Sequence, residues 1–125
     1  MMKEAIIRAR QVPRPEADAK TRPDSKIINE LINRIVSAAH PIRIILFGSA
    51  ARGEMNPDSD IDVMVVMPEG THRLNTTQYL YKRMLGFGYP VDIVVTTPSI
   101  LEQHKNNIGL IYRTVLVEGK EVYAT

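Results

Sequence analysis

The sequence predicts a single α/β domain in which short buried strands alternate with amphipathic helices. Two observations carry this. Ile44–Phe47, Ile61–Met67 and Tyr89–Val95 are runs rich in Ile, Val, Leu and Phe, too short for ordinary helices and bounded by Gly, Pro, Asn and Asp. The segments between them carry apolar residues at helical spacing, most clearly Ile27, Ile28, Leu31, Ile32, Ile35 and Val36. At 125 residues the chain is large enough for one core that folds alone.

Taken in order, residues 1–23 hold Pro13, Pro15 and Pro23 among charged groups and are expected to form a weakly ordered basic arm outside a domain spanning residues 24–125. Asp24 or Ser25 should cap a helix running to Ala39, stopped by Pro41, with His40 in a capping position. A strand over residues 42–47 leads into the Gly48-Ser49 turn and a short helical segment at Ala50–Gly53. Glu54 is expected to be solvated, and Asn56-Pro57-Asp58-Ser59 is turn sequence. The second strand, Ile61–Met67, closes at Pro68-Glu69-Gly70. A helix should open at Thr71 or Asn75 and reach Leu85, with Leu74, Tyr81, Met84 and Leu85 facing inward and Lys82 and Arg83 outward. Gly86-Phe87-Gly88 ends it, and the third strand follows. Helices from Thr97 or Ser99 to Asn106 and from Ile108 to Val117 come next, the latter stopped by Gly119. On these, His104 reads as a surface residue, while Ile108, Ile111, Tyr112, Val115 and Leu116 cover the sheet or form part of a partner surface. Val122-Tyr123 is a candidate edge strand.

Composition narrows the function classes. Without cysteine there is neither a disulfide framework nor a thiolate metal site. No apolar run approaches the roughly 18–20 residues of a membrane span, so a soluble, cytoplasmic protein is expected. Net charge is +2, but residues 1–23 hold six basic and three acidic groups, and the remainder holds ten basic and eleven acidic. A nucleic-acid binder normally carries a basic stripe on its folded body, so direct nucleic-acid binding and a template polymerase are disfavoured.

The chemistry concentrates between the first two strands. Asp60 and Asp62 are one residue apart, and residues i and i+2 of a strand share a face. Two carboxylates aimed together repel each other unless a cation lies between them, and hard ions such as Mg²⁺ take carboxylate oxygens together with substrate phosphates. If the two strands are antiparallel neighbours, Gly48-Ser49 falls beside this pair. A glycine before a helical turn lets backbone N–H groups approach phosphate oxygens, and the Ser49 hydroxyl adds a donor. Arg52 either donates to a triphosphate oxygen or braces the turn through a carboxylate. Asp92 is a charge in a valine-rich strand, where an unpaired buried carboxylate is costly. Together these residues suggest an enzyme acting on a nucleoside triphosphate.

Gly48-Ser49-Ala50-Ala51-Arg52-Gly53, followed by Asp58-Ser59-Asp60-Ile61-Asp62, resembles the signature of the minimal nucleotidyltransferases of the DNA polymerase beta-like superfamily. The resemblance spans about residues 24–124. It implies a palm-type small mixed β-sheet with helices packed on it, two Mg²⁺ ions, and transfer of AMP or another NMP from ATP or another NTP to a hydroxyl. Asp60, Asp62 and Asp92 are then the catalytic and metal-binding acids, Asp92 matching the family's third acid, and Gly48, Ser49 and Arg52 the nucleotide-binding residues. Position 50, often larger in relatives, is Ala50, so nothing extra reaches the phosphates from there. Stand-alone members of this size resemble antitoxins that silence a HEPN-type toxin by attaching AMP to a tyrosine, which implies a cognate toxin as partner and a hetero-oligomer with it. Alternatives are an antitoxin that acts by docking alone, a small-molecule adenylyltransferase of the aminoglycoside type, and a nucleotide sensor without turnover.

Overall fold

The computed structural model describes residues 25–53, 59–107 and 111–125. The expectations for the arm, Asp24, Glu54, the turn at 56–58 and Ile108 lie outside these residues. Among the described residues the chain forms α1 (Ser25–Ala39), β1 (Arg43–Phe47), α2 (Gly48–Arg52), β2 (Ile61–Val66), α3 (Arg73–Arg83), β3 (Val91–Thr96), α4 (Pro98–His104), α5 (Ile111–Glu118) and β4 (Lys120–Ala124).

The four strands make one mixed sheet in the order β3-β2-β1-β4. β1 is antiparallel to both β2 and β4, whereas β2 and β3 are parallel, joined by the α3 crossover that parallel neighbours require. Helices cover both faces. Ile44, Leu46, Ile61, Val63, Val65, Ile93 and Val95 join one core with α1 and with Leu80 of α3. Ile45, Phe47, Met64 and Val66 join a second core with Leu101 of α4 and with Tyr112 and Val115 of α5. Burial on both faces is why β1 and β2 read as continuous apolar runs rather than as alternating ones.

Helix α1 buries the predicted stripe and ends as the residues dictate. His40 takes a left-handed conformation (φ 54°), and its N–H donates to the Val36 carbonyl, so its backbone supplies the stop ahead of Pro41. Arg34 of α1 donates to the carbonyl oxygens of Arg83 and Leu85 and lies over the Phe87 ring. This ties α1 to the C-terminal end of α3.

The inward face of α3 differs from the expectation. Leu80 is fully buried, Met84 is partly buried, and Leu74, Tyr81 and Leu85 are exposed. The helix starts from His72, whose Nδ1 accepts the Asn75 N–H, and Leu85 lies beyond its last turn. Few apolar residues are spread along α3, so its pattern alone does not fix a face. On α5, Tyr112 and Val115 are buried, whereas Ile111 and Leu116 are exposed. His104 is half-buried and stacks on Tyr112 instead of standing free on the surface. Glu69, in the predicted turn, accepts from the Ser99 N–H and hydroxyl and so caps α4 from a distance.

Candidate active site

The site forms where β1 ends and β2 begins. Phe47 faces Asp62 across the antiparallel pair, so the Gly48-Ser49 turn and Asp62 share one end of the sheet. Gly48 has φ +67°, and a Cβ built on it would overlap Asp62 Oδ2. The backbone conformation therefore calls for glycine, and a side chain here would displace the Asp62 carboxylate. Gly53, at φ 72°, closes the one-turn helix α2, and its N–H reaches the carbonyls of Ala50 and Ser49.

On the other side of β2 the parallel register pairs Asp62 with Asp92. Register partners in adjacent strands share a face, so the two carboxylates leave the sheet on the same side. The Ile61 N–H donates to the Pro90 carbonyl at 2.9 Å and pins the two strand starts together. Phe47, Asp62 and Asp92 thus form one row across three strands. Asp60 lies one residue ahead of β2 and is exposed.

The electrostatics reflect this crowding. Burial, then the charges of Asp92 and Asp60, raise the Asp62 pKa above its ordinary 3.8, with Arg52 opposing them. Arg52 itself lies 3.6 Å from Glu118 at the end of α5, a carboxylate brace of the kind weighed from sequence. Among the described residues no three His, Cys, Asp or Glu side chains are gathered tightly enough to be a ready ligand set. Chemically the acids nonetheless fit a hard divalent cation: they offer carboxylate oxygens, and their mutual repulsion is what such an ion relieves.

The contact that the sequence left unrecognised is Tyr81. Its hydroxyl accepts the Ile93 N–H at 2.8 Å and donates to Asp92 Oδ1 at 3.2 Å. Burial first, then the Asp92 and Asp60 charges, raise its pKa above 10, with the Ile93 N–H opposing. A tyrosine on a helix eleven residues before the acid carries no local signal for this contact; it depends on how α3 packs against β3.

Residues 26–119 match the family model described as nucleotidyltransferase domain. The chain belongs to that family. This nucleotidyltransferase is 29% identical over 102 residues to a Methanocaldococcus jannaschii protein that carries the provisional name protein adenylyltransferase, covering 80% of the present chain and 98% of the relative. Among solved structures, it superposes on two mutant forms of the toxin–antitoxin MntA–HpeT. One has TM-score 0.57 at 19% identity, over 78% of this chain and 73% of the other. The second has TM-score 0.52 at 20% identity, over 82% and 73%. At these identities the likeness is one of fold, and it agrees with the α/β architecture of the nucleotidyltransferase. Among its described residues no helix is long and apolar enough to cross a membrane.

Proposed function

We propose that this nucleotidyltransferase is Mg²⁺-dependent, moves AMP from ATP to a tyrosine hydroxyl of a cognate HEPN-type toxin, and acts in the cytoplasm as that toxin's antitoxin. The observation that carries the chemistry is the side-by-side register of Asp62 and Asp92 next to the Gly48 turn. The relative named as a protein adenylyltransferase and the fold shared with a toxin–antitoxin pair support a protein acceptor.

In this reading Asp60 and Asp62 hold the triphosphate end of the site, and Asp92 joins them on the acceptor side. Two Mg²⁺ ions, when bound, supply charge neutralisation for the phosphates and acidify the acceptor hydroxyl. The backbone of Gly48 and Ser49, with the Ser49 hydroxyl, orients the β- and γ-phosphates, and Arg52 adds a guanidinium to them. Asp92 takes the proton of the acceptor hydroxyl, whose oxygen attacks the α-phosphorus. The bond from that phosphorus to its bridging oxygen breaks, and pyrophosphate leaves. The acceptor gains one AMP.

The test first asks whether a gene adjacent to this chain's encodes a small helical protein, and then offers that protein as acceptor with α-labelled ATP. The unaltered chain should transfer label to that protein, raising its mass by one or more nucleotide units, and Asp62→Asn should not. Transfer at the parental rate by Asp62→Asn would refute the assignment. Toxin neutralisation that survives joint replacement of Asp60 and Asp62 by Asn would show that docking suffices.

A further inference from the structure

One hydroxyl connects α3 to the acid row. Among the described residues β3 is an edge strand, and no strand neighbours the backbone groups on its outer side. The Ile93 N–H finds a partner in the Tyr81 hydroxyl at 2.8 Å, and the same hydroxyl donates to Asp92 Oδ1 at 3.2 Å. A phenol keeps its proton at neutral pH and has one hydrogen to give. With the Ile93 N–H on the oxygen's lone pair, that hydrogen is directed to the carboxylate.

Asp92 is the second residue of β3, exposed, and on a side chain with two free torsions. Left alone it would sample several rotamers, whereas an in-line transfer needs its oxygens in one place. Carboxylates that ligate metals are generally oriented by hydrogen bonds from an outer partner, and loss of that partner costs about 10- to 100-fold in metal affinity or activity. The placement of Tyr81 is itself braced from behind. Leu80 beside it is fully buried, and Arg34 holds the carbonyls of Arg83 and Leu85 at the helix end. The hydroxyl is therefore carried by a helix anchored in the core through Leu80 and tied to α1 at its C-terminal end.

We propose that Tyr81 is a positioning residue for nucleotidyl transfer: its hydroxyl, anchored on the Ile93 N–H, fixes the Asp92 carboxylate through Oδ1 and so orients the group that would hold the divalent cation and receive the acceptor proton. This rests on the reading of Asp92 as a metal ligand and base.

Tyr81→Phe keeps the ring and removes only the hydroxyl. Binding of Mn²⁺, followed by electron paramagnetic resonance with a non-hydrolysable ATP analogue present, should weaken about 10- to 100-fold. The kcat for label transfer should fall in the same range, with KM for the acceptor protein unchanged. Tyr79→Phe, on the same helix, should alter neither. In an Asp92→Asn background Tyr81→Phe should add no further loss, because Tyr81 acts through Asp92. Should Tyr81→Phe fail to fold, 4-fluorophenylalanine at position 81 keeps the shape and a weak acceptor for the Ile93 N–H while losing the donor, and the same loss is expected. Parental Mn²⁺ binding and kcat in a folded variant lacking the hydroxyl would overturn the proposal, as would an additive loss in the Asp92→Asn background. If Asp92→Asn also binds Mn²⁺ and turns over normally, the reading of Asp92 falls with it. If Asp92→Asn is impaired and the Tyr81 variants are not, only the role of Tyr81 falls.

Discussion

Gly48 and Asp62 meet so closely across the β1–β2 pair that a side chain on the first would occupy the space of the second's carboxylate. The turn that is proposed to cradle phosphate and the acid that is proposed to hold the cation are therefore a single packed unit. Gly48→Ala combines a left-handed φ with this overlap. It should destabilise the chain by more than about 1 kcal/mol in denaturant unfolding and reduce label transfer through a displaced Asp62. A variant with parental stability and rate would show that the turn has slack.

The raised pKa of Asp62 has a sign that thermal unfolding can read. The unfolded chain ionises this group near 3.8, and the folded chain ionises it at higher pH. The favourable contribution is thus full below the unfolded value and is lost as pH rises through the folded one. Without divalent cation, Asp62→Asn should therefore melt higher than the parent at neutral pH, and that gain should vanish below the unfolded pKa. Mg²⁺ with ATP should raise the melting temperature of the parent more than that of Asp62→Asn, and a chelator should abolish the difference.

Arg52 stands between two roles that mutation separates. Its pair with Glu118 is about half exposed on both sides, and such pairs contribute roughly 0–1 kcal/mol. Glu118→Gln should accordingly leave stability within about 1 kcal/mol and leave transfer unchanged. Arg52→Gln should raise KM for ATP several-fold while matching Glu118→Gln in stability. Equal kinetics for the two variants would reduce Arg52 to a brace.

The face of α3 is open to a direct measurement. Leu80 is fully buried and Leu74 is 61% exposed. Leu80→Ala should cost about 2–5 kcal/mol in denaturant unfolding, whereas Leu74→Ala should stay within about 0.5 kcal/mol. A reversed order would mean that α3 packs through its other side.

Much of this molecule was written in local sequence. The stripe of α1, the strand runs around Gly48 and Asp62, and Gly119 ending α5 all follow from spacing and backbone chemistry within a few residues. So does the meeting of the Gly48 turn with Asp62, once β1 and β2 are antiparallel neighbours. What local pattern could not provide was anything decided between elements distant in the chain. The parallel register that pairs Asp62 with Asp92 depends on the length and packing of the α3 crossover. The inward turn of α3 depends on which side Leu80 finds the α1 core, since the helix carries too few apolar residues to declare a face. The contact of Tyr81 with β3 depends on β3 lying at the edge of the sheet among the described residues, where the Ile93 N–H reaches the Tyr81 hydroxyl, and strand order is a property of the whole sheet.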